Sequence, residues 1–496
     1  MLRLLMILIL IVYSTALLFL FIYSLTQSNL IYKYIRQKNR NKKNPIKEIA
    51  ISIFPSVTIQ LPVYNELYVI ERLIDSVCEI DYPKDKLEIQ ILDDSTDETQ
   101  SIILKKIAEC KKRGHDIVYI HRVNRSGYKA GALKAGLEVA KGELIAIFDA
   151  DFVPPKDFLL KTVSQFTNSK VGMVQTRWDH LNRNYSLLTK LQAFALDAHF
   201  SVEQVGRNSG KGFINFNGTA GIWRKSCILD AGNWSPDTLT EDLDLSYRAQ
   251  LKGWEFVYLE NVNSPAELPP VMSALKSQQY RWTKGGAETA KKHFWNVIKS
   301  NKSIAVKWHG IMHLMNSAVF VSIAICSILS VPLLSIKVRL PEFKYIFLLA
   351  SFFILSFAVL GAMYFISCAN QHKNKRSAII PFLLTFPLFL SVSMGLSLHN
   401  AIAVIEGYLG RKTSFVRTPK FNLNKEIRNI KSNVYINKKI NWLTYIEGFL
   451  IFYFSFGIFK AFKHQDFGLL PFHIMLTLGY SIIFYYSIKQ NKILIN

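Results

Sequence analysis

The sequence predicts a doubly wound α/β domain inserted between α-helical transmembrane segments. Three observations predict it. Strand-like and helix-like patterns alternate between residues 55 and 150, long uncharged apolar runs flank residues 50–270 but do not enter them, and basic residues gather where those runs end. The chain has 496 residues, 50% hydrophobic and 19% charged, with formal net charge +24. Disorder is excluded, because a chain this apolar can bury enough surface to offset its conformational entropy.

Ser56–Leu61 is a short apolar strand running into Pro62-Val63-Tyr64-Asn65-Glu66, after which Leu67, Ile70, Leu73, Ile74 and Val77 recur at helical spacing. Leu87–Leu92 is a second strand, ending in Asp93-Asp94-Ser95-Thr96-Asp97, where a polar side chain can cap the helix carrying Ile102, Ile103 and Ile107. Ile117–His121 is a third, followed by a glycine-containing turn and a helix over Gly127–Val139. Leu144–Phe148 is a fourth, ending in Asp149-Ala150-Asp151. Strands separated by helices of this length imply a parallel sheet, whose ligands bind at the carboxyl ends of the strands. The acidic motifs stand at those ends.

Residues 4–32 carry no charge and lead into Lys33, Arg36, Lys38, Arg40, Lys42 and Lys43. The run is too long for a signal peptide, so it reads as a retained anchor with its C-terminal end in the cytoplasm. Further spans are expected at 310–336, 345–369, 377–405, 443–462 and 467–488. Basic residues flank 377–405 on both sides, and Pro381, Pro387 and the polar stretch Ser391–Asn400 interrupt it. We therefore expect it to lie along the interface or re-enter, leaving about five crossings. The expected organisation is an anchor at 1–32, a basic linker at 33–54, a cytoplasmic domain at 55–268, interface helices at 269–307, transmembrane or interface helices at 308–405, a basic cytoplasmic loop at 406–440 and two spans within 441–490. Five scattered cysteines (Cys78, Cys110, Cys227, Cys326, Cys368) contain no CxxC pair and fit small buried side chains rather than a disulfide framework or a zinc site.

Each chemical motif has a bland reading when taken singly. Asp149-Ala150-Asp151 offers two hard oxygen ligands for Mg²⁺ or Mn²⁺, or it is a solvated turn. Gly127-Tyr128-Lys129-Ala130-Gly131 suits a phosphate at a helix start, or it is a flexible turn. Thr240-Glu241-Asp242-Leu243-Asp244 offers a rigidly held general base, or an acidic helix cap. Gln278-Gln279-Tyr280-Arg281-Trp282 puts Gln278 and Trp282 on one helix face, suited to a sugar and a diphosphate, or it is a surface helix.

Together and in this order, LPVYNE, DDSTD, FDADF, FNGTAG, TEDLD and QQYRW resemble the membrane-embedded, processive family 2 glycosyltransferases. The likeness is to the cellulose synthase superfamily, and QTRWDHLN, FNGTAGIWRK and TEDLDLSYRAQLKGW carry it toward the cellulose-synthase-like mannan or glucomannan synthase branch. Phe415-Val416-Arg417-Thr418-Pro419-Lys420 is similar to the FxVTxK gating loop of cellulose synthases, with Arg417 where their valine stands. The resemblance implies a GT-A-like fold for the catalytic domain. It also implies that Asp93 and Asp94 contact the nucleoside, that Lys129 sits near the diphosphate, and that Asp149 and Asp151 hold the metal, Asp149 also lying near the ribose. Asp242 would be the general base. Gln278, Arg281 and Trp282 would bind the diphosphate and the acceptor end, and Asn217, Gly218 and Glu241 would shape the acceptor pocket. Thr418 and Lys420 would close over the nucleotide.

These placements imply a single, inverting displacement: Asp242 deprotonates the acceptor hydroxyl, while the metal, Lys129 and Arg281 offset the charge of the leaving diphosphate. The expected protein is a metal-dependent, processive β-hexosyltransferase that moves a hexose from UDP-glucose or GDP-mannose to a growing polysaccharide. The alternative is a non-processive enzyme glucosylating a lipid acceptor. The expected setting is a multi-pass protein of a bacterial inner membrane; accessory export proteins are left open, and no built-in second-messenger receptor is expected after the last span. Nucleic acid is not an expected partner. Segments 33–43, 270–307 and 407–440 carry net charges of +6, +7 and +8, which is 21 of the 24. All border spans or the interface, where they report orientation and contact with anionic lipid.

Overall fold

The computed structural model describes every residue except 44–52, 351–352, 373, 414, 423–432, 437–439 and 496. Helix α1 (Leu2–Lys43) runs through both the apolar anchor and the basic segment. Residues 33–43 are therefore a continuation of the anchor helix, not a linker. The last turns of α1 dock on the soluble domain, where Lys38 pairs with Glu260 at 3.0 Å and Gly206 lies against the Leu30 backbone.

The soluble domain alternates β1 (Val57–Val63), α2 (Ile70–Cys78), β2 (Leu87–Asp93), α3 (Thr99–Lys112), β3 (Asp116–His121), α4 (Tyr128–Val139) and β4 (Leu144–Ile147). All four strands read from the sequence are present and pair in parallel, in the order β3-β2-β1-β4. Three more complete a seven-stranded sheet: β5 (Val171–His180), β6 (Gly221–Arg224) and β7 (Glu255–Ala266), in the order β4-β6-β5-β7. β6 runs antiparallel to both neighbours, so the sheet is mixed rather than wholly parallel. The fold is the expected GT-A-like one.

The central strands are buried and carry polar residues that only register satisfies. Gln60 stands opposite Gln90, and its amide donates to the Gln90 side chain at 3.0 Å. Thr58 donates to Glu88 at 2.6 Å. Pro62 falls after the β1–β4 pairing has ended at Gln60, where one side of the strand is open. Apolar side chains cover both faces of the sheet, with Leu73, Ile74 and Ile103 on one and Leu133, Leu137 and Leu245 on the other.

α5 (Glu241–Leu251) precedes β7, and α6 (Met272–Lys299) leads out of the domain. The remaining long helices are α7 (Ala318–Arg339), α8 (Phe353–Asn370), α9 (Ile379–Gly395), α10 (Ser397–Leu409), α11 (Trp442–Lys463) and α12 (Leu470–Ile495). Among the described residues six helical segments are long and apolar enough to cross a membrane, namely Leu2–Lys43, Ile304–Arg339, Phe353–Asn370, Lys375–Gly395, Trp442–Lys463 and Leu470–Gln490. The protein is a multi-pass membrane protein. Ion pairs bring several helix ends to one side: Arg3 meets Glu342 at 3.1 Å and Lys337 meets Asp466 at 2.7 Å. The opposite ends of α1 and α8 meet where Asn370 donates to Tyr34 at 2.7 Å. α9 ends at Gly395 against Gly479 in the body of α12, and α10 follows after the single residue Leu396, with Glu406 accepting from Tyr280 of α6. All five cysteines are free, and four are buried.

The α9–α12 crossing depends on Gly479, where a Cβ would lie 1.8 Å from the Ser391 carbonyl oxygen. Gly479→Ala should destabilise the protein by about 1–3 kcal/mol through overpacking. Gly361→Ala, whose Cβ would make an ordinary 3.6 Å contact with Phe386, should not. Thermal melting in detergent checks this, and equal melting temperatures for the two variants would contradict the crossing.

Candidate functional site

An open cleft of about 1270 Å³ lies at the carboxyl ends of β1 and β4, roofed by α6 and by residues 415–420. Strand ends deliver its acids. Asp94 follows β2 and is gripped by Arg122, which donates to its two oxygens at 2.8 and 2.6 Å. Asp149 and Asp151 follow β4. Lys129 donates to Asp149 at 2.6 Å and to the Gly218 carbonyl at 2.8 Å. Lys420, arriving from the far end of the chain, pairs with Asp151 at 2.6 Å.

The glycines around Lys129 have local causes. Gly127 caps α4 with φ of +72°, a left-handed conformation that favours glycine. At Gly131 a Cβ would lie 2.1 Å from the Ser126 carbonyl oxygen. Both are explained by packing of the turn on its own helix, and that turn aims Lys129 into the cleft. Gly218 has φ of +78°, and a Cβ there would press on Asp242 Oδ2 at 3.1 Å. Its absent side chain keeps space beside the proposed base open.

Glu241 and Asp242 open α5 and face the cleft. Burial, and then the neighbouring Glu241 carboxylate, push Asp242 up to about 7. Glu241 is likewise raised by burial. Asp242 makes no ion pair among the described residues, and its Oδ1 accepts only from the Leu243 amide, at 2.8 Å. Asn217 lines the cleft and accepts from Gln204 at 2.9 Å.

α6 presents two faces. Gln278, Arg281 and Trp282 point into the cleft. Lys276, Tyr280 and Lys284, spaced four apart on the other side, hold the segments that flank the 411–440 loop. Lys276 donates to Glu447 of α11 at 2.7 Å. Lys284, fully buried, donates to the Arg411 carbonyl at 2.6 Å and to Thr413 Oγ1 at 2.8 Å. Arg281 donates to Thr418 at 2.8 Å and lies 4.7 Å over the Phe415 ring.

One expected residue is not brought to the cleft. Asp93 is buried outside its lining, with one oxygen accepting from the Ser95 amide at 2.9 Å and the other from Tyr119 at 2.8 Å. Several cleft residues carry no expectation from the sequence. Arg125 lies 3.3 Å over the Tyr64 ring, with Phe415 on another side at 5.8 Å. Arg417 reaches Glu66 at 2.8 Å and lies 4.2 Å over Tyr435. Burial holds Glu66 up, at about 7. The signals available were Glu66 inside LPVYNE, Arg125 just before the glycine turn, and Arg417 where the gating-loop likeness departs.

Among the described residues, no group of three or more His, Cys, Asp or Glu is placed to hold a metal ion. The chemistry of Asp149 and Asp151 nonetheless fits a divalent cation. Asp151 Oδ1 is buried without a hydrogen-bond partner, and the Asp149 side chain remains a third exposed beside it. Mg²⁺ and Mn²⁺ favour one or two carboxylates, with water and substrate phosphates completing the shell.

Residues 55–285 match the model of a family described as glycosyltransferase like family 2. The chain is 39% identical over 371 residues to "Probable glucomannan 4-beta-mannosyltransferase 4" of Oryza sativa subsp. japonica, covering 72% of this chain and 63% of that protein. It is 42% identical over 270 residues to "Glucomannan 4-beta-mannosyltransferase 7" of Arabidopsis thaliana, covering 53% and 48%. The chain thus spans about half to just under two thirds of the length of these curated relatives. Both are plant proteins and lend no support to the bacterial setting expected from the sequence. Among solved structures, "Mannosyltransferase PcManGT from Pyrobaculum calidifontis in complex with GDP-Man and Mn2+" superposes with a TM-score of 0.51 at 19% identity, covering 79% of this chain and all of that one, which bears on fold alone. The match over 55–285 and the mixed sheet agree with the expected family, and the curated relatives are glucomannan 4-beta-mannosyltransferases; the chain belongs to the family 2 glycosyltransferases.

Proposed function

We propose that the protein transfers mannose from GDP-mannose to the growing end of a β-1,4-linked mannan or glucomannan at the membrane, inverting the anomeric configuration. The observation that carries this reading is the meeting of a half-buried Asp242, without an ion pair among the described residues, with Asp149, Asp151, Lys129 and Arg281 in one cleft. The choice of mannose rests on the names of the relatives, which are 39–46% identical over the aligned segments. The expectation from sequence left UDP-glucose open as donor, and a lipid as acceptor. A second cavity of about 820 Å³ favours the polymer, because Gln278, Trp282 and Leu196 line both it and the cleft while its far end lies among α8, α9 and α10. A chain leaving the active site past Trp282 would enter it. We read residues 377–405 as lying along the interface or re-entering, which leaves about five crossings and keeps the 411–440 loop on the same side as the domain.

The residues divide the work. Asp242 takes the proton of the acceptor hydroxyl, which attacks the anomeric carbon from the face opposite the diphosphate. Lys129 and Arg281 stabilise charge on the departing diphosphate. Asp149 and Asp151 would hold the divalent cation, which when bound supplies further charge neutralisation at the phosphates. Asp94 and Arg122 border the nucleoside end of the cleft. Gln278 and Trp282 hold the acceptor sugar, and Thr418 and Lys420 cover the donor.

Purified protein supplied with a panel of nucleotide sugars should incorporate GDP-mannose into a β-1,4-linked polymer, and chelation should stop it until Mn²⁺ or Mg²⁺ is restored. A product with one sugar on a lipid would sink the polymer reading. Turnover should rise with pH through about 7, because the base acts when deprotonated and its folded pKa is raised. Asp242→Asn should abolish turnover at every pH while leaving donor binding measurable by calorimetry. Lys284→Met should weaken the loop's seat by roughly 1–3 kcal/mol. Steady-state kinetics should show this mainly as a raised KM for donor, and limited proteolysis as faster cleavage within 411–440.

A further inference from the structure

A π-helical turn, His199–Glu203, joins the helices Leu187–Ala198 and Gln204–Ser209. Such turns are rare, occur mostly as single insertions within helices, and often stand beside functional sites. This one begins a line of polar contacts that ends in the cleft. Arg207, 3% exposed, donates to Glu203 Oε2 at 3.1 Å, and His199 Nδ1 lies 2.9 Å from the same oxygen. On the far side of the ring, His199 Nε2 lies 3.3 Å from Asn217 Nδ2. Gln204 Nε2 donates to Asn217 Oδ1 at 2.9 Å. Of these residues only Asn217 lines the cleft.

Donor and acceptor chemistry fixes every orientation in this line, starting from either end. At one end, burial pushes the Glu203 carboxyl up, but Arg207 and His199 outweigh it and hold it at about 2. The carboxylate can only accept, so His199 Nδ1 carries a proton. At the other end, Gln204 Nε2 also faces the Asn215 carbonyl at 3.3 Å, and a carbonyl too can only accept. Gln204 therefore turns its NH2 toward Asn217, and Asn217 meets it with its oxygen. The Asn217 NH2 is left for His199, so Nε2 must hold a lone pair. The ring is thus neutral, with its one proton on Nδ1. The main chain beside it is held separately by the QTRWDHLN segment. The Asn217 amide donates to Gln175 Oε1 at 2.9 Å, and Gln175 Nε2 donates to the Thr219 and Ala220 carbonyls at 3.1 and 3.0 Å.

One N–H and one lone pair of the Asn217 side chain remain unused. They stand close to the base, since a Cβ on the next residue, Gly218, would lie 3.1 Å from Asp242 Oδ2. We propose that His199 is a positioning residue for the acceptor, taking Asp242 as the base and a β-1,4-linked glycan as the acceptor, as proposed above. With Glu203 it locks the Asn217 amide so that the unused N–H and lone pair meet a hydroxyl of the acceptor sugar beside Asp242.

The test uses the full chain in detergent, labelled with ¹⁵N in histidine. The signal lost in His199→Gln identifies His199, and it should report a neutral ring protonated on Nδ1. His199→Leu should raise KM for a β-1,4-linked mannooligosaccharide acceptor roughly three- to ten-fold, the loss of about one hydrogen bond. Its kcat and its KM for GDP-mannose should change little. His199→Gln still offers an acceptor to Asn217 and a donor to Glu203, and should keep KM near that of the unsubstituted chain. A proton on Nε2, an unaltered acceptor KM in His199→Leu, equal impairment of the two variants, or an effect confined to KM for the donor would each overturn the proposal. Failure of the unsubstituted chain to extend the oligosaccharide would sink the polymer reading instead, and the protonation of the ring would still decide how Asn217 is held.

Discussion

The structure depends on neutralising a concentrated negative charge. Glu66, Asp94, Asp149, Asp151, Glu241 and Asp242 all line one cleft; Glu66, Asp94 and Asp151 are buried and the other three half-buried. An unpaired buried ion costs several kcal/mol, so such a cleft forms only where cations are brought to it. Arg122 serves Asp94, Lys129 serves Asp149, Arg417 serves Glu66 and Lys420 serves Asp151. The last two come from about 350 and 270 residues further along the chain, respectively. The loop at 415–420 thus closes the charge balance of the cleft as well as covering it. Asp242 is left without an ion pair among the described residues, which is the environment that raises a carboxylate toward neutral pH and suits it to take a proton.

α6 turns this charge arrangement into a mechanical one. Its inner face turns Gln278, Arg281 and Trp282 into the cleft, and its outer face binds both flanks of the loop through Lys284 and Lys276. Arg281 donates to Thr418 of the loop at 2.8 Å. The cleft-lining side chains and the loop's seat therefore share one rigid element, and any tilt of α6 moves them together. The membrane helices hold α6 in turn, since Tyr280 donates to Glu406 of α10 and the Met272 amide donates to Gln490 of α12.

Much of the fold was legible in the sequence. The four strands ending in LPV, LDD, IH and IFDAD appear within two residues of where the alternating pattern puts them, because buried parallel strands read as short apolar runs. β6 was not legible. Gly221–Arg224 is only four residues long, and its antiparallel direction comes from pairing with β4 and β5, which are distant in sequence. The helical path of residues 33–43 was hidden for a similar reason. Their charges suggested a linker, while docking of α1 on the soluble domain keeps them helical. Within the candidate site, DxD marked a strand end, TEDLD a helix start and QQYRW a face inside α6, and their members do converge. Asp93 shows the limit: two adjacent acids look equivalent in sequence, but successive side chains of a strand point to opposite sides, and only Asp94 reaches the cleft.

By itself, then, the sequence determined where the soluble domain and the apolar helices lie, the direction of the charge asymmetry, and which strand and helix ends carry acids. These follow from local periodicity and composition, which a short window of residues contains. Only the tertiary structure decided which cation answers which carboxylate, that Lys284 anchors the loop, and that α10 packs against α6. Those outcomes depend on contacts between segments hundreds of residues apart, and side-chain pairing at that range leaves no periodic trace along the chain.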